Sequence, residues 1–162
     1  MLVAVGSKNK NKQVWYDLFA FDAKDGQFRW HQEQNNEAGI GGDHGEQIHH
    51  PVITNNKVYA EPYSYDLRTG KIIADWKLNR GGGGCGTMSG SSTLLFFRAG
   101  NPAICNLLQT GQGKRINYVT RPGCWINIVP AGGLILIPEA SSGCTCNYPL
   151  QMSVAYRPVK TK

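Results

Sequence analysis

The sequence predicts an all-β protein built from repeated antiparallel units of four strands. The first observation is a glycine-ended turn that recurs at Gly26, Gly70 and Gly113, at intervals of 44 and 43 residues. A period in that range is typical of proteins that stack four-stranded sheets, or blades. The second is the composition, because 20 glycines and 8 prolines among 162 residues indicate short strands and many turns. The third is that no segment has helical periodicity.

The chain opens with an apolar segment, residues 1–6, followed by a polar stretch. We interpret this segment as the end of a strand that begins upstream, in a chain that is part of a longer protein. The second unit opens with a predicted strand at 51–54, a turn at Asn55 and Asn56, and a return strand at 57–60. Adjacent asparagines tolerate the left-handed backbone that a two-residue hairpin requires.

The second unit continues with a predicted strand at 63–67, a turn at 68–70 and a last strand at 71–76. In this turn Gly70 supplies the positive φ, and Asp66 is placed to accept hydrogen bonds from turn amides. The same arrangement predicts the glycine-ended turns of the neighbouring units.

The later units contain strands at 93–97 and 134–137, each preceded by a short polar or glycine turn. Trp30 and Trp76 each follow the repeated turn by a few residues, where a large aromatic ring can pack between blades. The period divides the chain into approximate units, which are 1–44, 45–85, 86–124 and 125–162.

Residues 19–30, Phe-Ala-Phe-Asp-Ala-Lys-Asp-Gly-Gln-Phe-Arg-Trp, resemble the repeat of the quinoprotein-like (PQQ-like) β-propellers, whose turn reads approximately Tyr-Ala-Leu-Asp-Ala-x-Thr-Gly-Lys-x-x-Trp. Residues 65–71 are a second copy. Residues 121–146 are similar to C-terminal blades of large bacterial propellers found in planctomycetes. The resemblance implies about seven or eight blades in the complete protein, of which this chain holds about three to four.

The resemblance also implies export to the periplasm or secretion, and with it disulfide bonds. Cys124 precedes one strand of the last unit, and Cys144 and Cys146 follow its return strand, so a bridge is expected there. Cys85 is the expected partner of the remaining member of the Cys-Thr-Cys pair. Cys105 is then the odd thiol, a buried apolar filler. Unpaired structural thiols, or a metal site made of Cys85, Cys124, Cys144 and Cys146, are the alternatives.

Histidines and carboxylates gather in residues 43–51, Asp-His-Gly-Glu-Gln-Ile-His-His-Pro. Such side chains suit a metal or acid–base cluster, for which His44, Glu46 and His50 are the candidates. The alternative is a polar loop between blades, because the adjacent His49 and His50 would point to opposite faces of a strand that begins at Pro51. We favour the loop.

A polar loop at 138–144 could line the central channel of a propeller, where Arg121 and Glu139 are candidates for a charged pair or a ligand contact. The favoured function is a non-catalytic scaffold that binds a protein partner or the remaining blades, with no cofactor. The resemblance also leaves open a quinoprotein dehydrogenase that uses PQQ with calcium. Such dehydrogenases typically have two adjacent cysteines that form a ring over the quinone, whereas this chain has Cys144-Thr145-Cys146. A cysteine-based metal or redox module is the third possibility.

The formal charge is +6, from 17 basic and 11 acidic residues. Much of the excess lies near the two ends of the chain, at Lys8, Lys10, Lys12, Arg157, Lys160 and Lys162. No aromatic residues interleave these side chains as a nucleic-acid stacking surface requires, so nucleic acid is not an expected partner. No apolar run approaches the roughly 18 residues of a membrane span.

Overall fold

The structure, a computed structural model, describes residues 1–10, 13–34, 50–78, 80, 86–108, 111–123, 128–139 and 152–159. These residues form strands and turns and contain no helix, which confirms the all-β class. No helix in this described part of the chain is therefore long and apolar enough to cross a membrane. The chain divides into two compact units, Met1–Lys77 and Leu78–Lys162.

The first unit contains two antiparallel sheets in which strands follow one another in chain order. The strands of the first sheet are β1 (Leu2–Lys10), β2 (Gln13–Phe21) and β3 (Phe28–Gln34), and those of the second are β4 (Val52–Thr54), β5 (Lys57–Ala60), β6 (Tyr63–Asp66) and β7 (Ile72–Lys77). β1 continues to Lys10, well beyond the apolar segment 1–6, because its backbone pairs with β2 from Leu2 to Lys10. Backbone pairing rather than hydrophobicity sets the length of this strand.

The second unit repeats this plan. Its sheets are formed by β8 (Ser89–Gly90), β9 (Leu94–Ala99), β10 (Asn101–Asn106) and β11 (Gly113–Arg115), and by β12 (Val129–Ala131), β13 (Leu134–Ile137) and β14 (Val154–Tyr156). Successive meanders of three or four antiparallel strands are the construction expected of propeller blades. Much of the connecting chain, at 35–49, 81–85 and 124–127, lies outside the described residues. The boundaries of the four predicted units therefore stay predictions.

Within each unit the two sheets share an apolar core. In the first unit, buried residues of both sheets form one cluster, namely Leu18, Ala20, Trp30, Val58, Ala60 and Tyr65. Leu18 and Ala20 are two residues apart on β2, so they lie on the same face of the sheet. In the second unit Phe96 packs with Ile128 and Ile137. Each cluster thus contains side chains from both sheets of its unit.

The glycine-ended turns have the predicted geometry in the first unit. Gly26 and Gly70 have φ values of 73° and 71°, and each donates its backbone N–H to the carbonyl of the aspartate four residues earlier at 2.9 Å. Asn55 and Asn56 also have positive φ, as predicted. In the third repeat the prediction of Gly113 is wrong.

The turn residue of the third repeat is Gly111, with a φ of 82°, whereas Gly113 is the first residue of β11. Gly26, Gly70 and Gly111 each lie two residues before the last strand of their sheet. The structural repeat is therefore defined by the distance to the outer strand, and Gly113 lies two residues beyond the turn position.

Candidate functional site

Most of the predicted cysteine and histidine sites lie outside the described residues. These positions are Cys85, Cys124, Cys144, Cys146, His44 and Glu46. The disulfide bonds, the cysteine metal site and the histidine cluster therefore stay predictions. His50 is described and is exposed, directly before Pro51 and β4.

Cys105 lies in β10 and is 1% exposed, with a free thiol. Burial raises the pKa of this thiol, because the thiolate would lose its hydration. A buried thiol held in its neutral form is a poor nucleophile. This is the apolar filler that the sequence predicted.

The predicted channel residues lie in different environments. Arg121 is buried, with 6% of its surface exposed, directly after the turn that follows β11. Glu139 is exposed after β13, and its backbone N–H donates to Oγ of Ser153 at 3.0 Å. A charged pair or shared ligand contact of Arg121 and Glu139 stays a prediction.

Two aspartates have pKa values below the usual range, and both belong to the repeated turn. Asp66 accepts hydrogen bonds from the hydroxyl and the N–H of Thr69, each at 2.8 Å, and these bonds stabilise its carboxylate. Asp22 accepts the N–H of Lys24 at 2.9 Å and pairs with Arg29 at 2.6 Å, with the same effect on its pKa. Both carboxylates thus stabilise turns.

A buried polar bridge joins the two sheets of the first unit. The hydroxyl of Tyr65 donates to Oε1 of Gln34 at 2.8 Å, and Nε2 of Gln34 donates to the carbonyl of Glu61. Burial raises the pKa of the Tyr65 hydroxyl above its usual range, so it remains a donor at all ordinary pH values. The amide of Gln34 therefore fixes the position of β3 against the β5–β6 hairpin.

The first sheet contains a histidine–aspartate pair that no motif in the sequence indicates. Nε2 of His31 lies 2.9 Å from Oδ1 of Asp17, and the imidazole stacks on Phe19 with centroids 4.6 Å apart. Phe19 is directly opposite His31, so Asp17 is its diagonal neighbour across β2 and β3. The carboxylate orients the imidazole and the stack holds it against the sheet. Only the register of the two strands reveals this pair.

Tyr118 and Val119 form an exposed apolar pair on a loop that follows β11, with 65% and 61% of their surfaces exposed. Oδ1 of Asn117 accepts the N–H groups of Val119 and Thr120, both at 2.8 Å. The buried amide of Asn101 donates to the carbonyl of Thr120 at 3.0 Å. Nδ2 of Asn117 donates to the Tyr156 hydroxyl, so strands of both sheets of the second unit hold this loop.

We call residues 117–120 the Asn117 loop. An asparagine whose side-chain oxygen accepts the N–H groups two and three residues later forms an Asx turn, which is a local signal in the sequence. The sequence did not indicate that β10 and β14 anchor the loop, because those contacts join residues far apart in the chain. The arrangement presents an aromatic and an aliphatic side chain to solvent on a rigid support.

No three His, Cys, Asp or Glu side chains come together in the described residues as a metal site requires. The Cys-Thr-Cys segment lies outside the described residues, so PQQ with calcium stays an untested alternative.

No protein-family model matches the chain, and no curated protein matches it. Among solved structures the chain is similar to BamB from Moraxella catarrhalis, with 14% sequence identity and a TM-score of 0.47. The similarity covers 83% of this chain and 43% of that one, so the chain spans less than half the length of that protein.

Proposed function

We propose that this protein is a non-catalytic propeller, or a portion of one, from a bacterial protein that is exported to the periplasm or secreted. It acts as a binding scaffold for a protein partner. The observation that supports this proposal is the Asn117 loop, where Tyr118 and Val119 face solvent on a backbone fixed by hydrogen bonds. A partner that binds there immobilises little further backbone, which lowers the entropic cost of association. Tyrosine is enriched at interfaces because it offers a large apolar surface with a polar tip.

Two charged groups of the first unit have structural roles that agree with this proposal. The two aspartates with lowered pKa, Asp22 and Asp66, hold turns together. A catalytic acid or base needs a proton affinity near the working pH, so we assign these two carboxylates to turn structure and not to catalysis.

A photo-crosslinking experiment in the producing cell tests the partner. A photoreactive phenylalanine derivative replaces Tyr118, and in the matched control it replaces Val159, which is 80% exposed elsewhere in the same unit. We expect a discrete protein adduct from position 118 that is absent from position 159. Added unlabelled protein should compete for this adduct, while the Tyr118→Ser/Val119→Ser double variant should not. The same adducts at both positions, or none at 118, would overturn the proposal.

Native mass spectrometry tests the non-catalytic assignment and the compartment. The protein is produced in an oxidising compartment and measured without reductant. The mass of the polypeptide, lowered by the hydrogens lost in each disulfide bond, supports an exported scaffold. A stoichiometric addition of PQQ with calcium, or of zinc, contradicts it and points to the cysteine and histidine candidates. A fully reduced chain contradicts the exported location.

A further inference from the structure

A basic cavity of about 390 Å³ lies on one face of the β8–β11 sheet of the second unit. Its lining includes the small residues Ala99, Ala103 and Gly113 together with Arg80, Arg115 and Tyr118. Ala103 is directly opposite Arg115, so these two side chains share a face of the sheet.

The strand register separates this face from the apolar core. Phe97 is directly opposite Ala103, on the same face as the cavity. The neighbouring residues Phe96 and Ile104 are opposite each other and pack in the core on the other face. The cavity therefore lies on the face of the sheet opposite the cluster of Phe96, Ile128 and Ile137.

Both guanidinium groups are held in place by a backbone carbonyl and an aromatic ring. Nε of Arg115 donates to the carbonyl of Ala99 at 2.9 Å, and its Cζ lies 5.5 Å from the ring centroid of Tyr118. Arg80 donates to the carbonyl of Gly86 at 3.0 Å, and its Cζ lies 5.5 Å from the ring centroid of Phe97. Because a guanidinium has five N–H donors in a fixed plane, one such bond orients the group and does not exhaust it.

The charge of the cavity is of one sign. Its described lining contains no acidic residue, and its charge comes from Arg80 and Arg115. Lys114 also borders the cavity, but it is directly opposite Ile104, on the other face of the sheet. Positive charges gathered in a concave surface make the local electrostatic potential more positive and attract anions. Planar guanidinium groups bind carboxylate and phosphate oxygens in pairs, with stronger hydrogen bonds than neutral donors form.

We propose that this cavity binds a small anionic ligand. Arg80 and Arg115 hold its carboxylate or phosphate group, and the ring of Tyr118 packs against the rest of the ligand. The volume lies within the range of about 300 to 1,000 Å³ that is typical of small-molecule sites. The site is built within the second unit and shares Tyr118 with the Asn117 loop, but anion binding by Arg80 and Arg115 requires no protein partner.

Calorimetric titration of the full chain with inorganic phosphate and, separately, with succinate tests the proposal. Arg115→Gln removes one cavity charge from an exposed side chain, and Arg157→Gln is the matched control because Arg157 is also exposed and lies outside the cavity lining. We expect at least one anion to bind, Arg115→Gln to weaken it by about tenfold or more, and Arg157→Gln to change it less than about twofold. The anion that binds more tightly identifies the ligand group.

Arg80→Gln should weaken the same anion, and Arg115→Lys should weaken it too, because an ammonium cannot form the paired contact. Circular dichroism establishes whether each variant is folded. If Arg80→Gln does not fold because Arg80 is half-buried, Arg115→Lys, at an exposed position, still tests the proposal. The proposal is overturned if neither anion binds at millimolar concentration, or if Arg157→Gln weakens binding as much as Arg115→Gln. Equal loss in both variants would mean that the anion responds to net charge alone.

Discussion

Replacing Gly70 by alanine should destabilise the first unit more than the same replacement at Gly26. Both glycines occupy the same turn position with nearly the same φ, so the backbone penalty is shared. At Gly26 an added Cβ meets no atom within 4 Å, whereas at Gly70 it would lie 2.6 Å from Cδ2 and 2.7 Å from Cε3 of Trp30. The comparison therefore isolates the contact between the tryptophan ring and the glycine.

The magnitudes follow from two separate costs. A left-handed backbone costs a non-glycine residue about 1 to 2 kcal/mol, and the smaller entropy of the unfolded alanine chain increases stability by about 0.4 to 1 kcal/mol. Gly26→Ala should therefore lower the free energy of unfolding by about 1 kcal/mol. Gly70→Ala adds the cost of overpacking, about 1 to 3 kcal/mol, for a total of about 2 to 4 kcal/mol.

The ring of Trp30 cannot easily move away from Gly70. Its side chain is buried, and Nε1 donates to the carbonyl of Leu67 at 2.9 Å, in the turn that contains Gly70. Displacing the indole would break this bond as well as the packing with the core of the first unit. The clash must therefore be absorbed by strain in the turn or by separation of the two sheets.

Urea unfolding followed by circular dichroism measures these differences as shifts of the midpoint. A double-mutant cycle with Trp30→Leu separates the ring contact from the backbone cost. In the Trp30→Leu background, Gly70→Ala should cost only about as much as Gly26→Ala. Equal losses for the two glycine variants in the wild-type background would refute the reasoning.

Three further predictions rest on single contacts. Tyr65→Phe should lower the free energy of unfolding by about 1 to 2 kcal/mol, because it removes the hydroxyl that donates to buried Gln34. Urea unfolding measures this difference, and an unchanged stability would contradict the hydrogen bond between Tyr65 and Gln34. The pKa of Asp66 is lowered in the fold, so its stabilisation is complete above its ordinary value of 3.8 and is lost as the pH falls through the lower folded value. Asp66→Asn should therefore melt below wild type at pH 7, with a difference that disappears in acid; a difference independent of pH would contradict the contribution of charge to the contact with Thr69. Cys105 should resist iodoacetamide at pH 8 in the folded protein and react fully in urea. Mass spectrometry of the peptide that contains Cys105 measures the labelling, and rapid labelling of the folded protein would contradict the burial of this thiol.

The sequence by itself determined the class of fold and the chemistry of its local turns. The turn at Asp66 and Gly70 depends on hydrogen bonds between residues two to four apart, so its pattern is legible in a short window. The same is true of Asn55 and Asn56, whose positive φ is a property of the residue type. In the third repeat Gly113 fits the period of the sequence, whereas Gly111 has the geometry of the turn.

Tertiary structure alone decided which side chains meet across strands and sheets. His31 and Asp17 are neighbours through the register of β2 and β3, and Arg80 and Arg115 share a cavity through the packing of one unit. A change of one residue in the strand register would abolish these contacts, because it turns every side chain of the strand to the opposite face. A local pattern therefore fixes the turns, whereas the sites depend on pairings between residues that are distant in the chain.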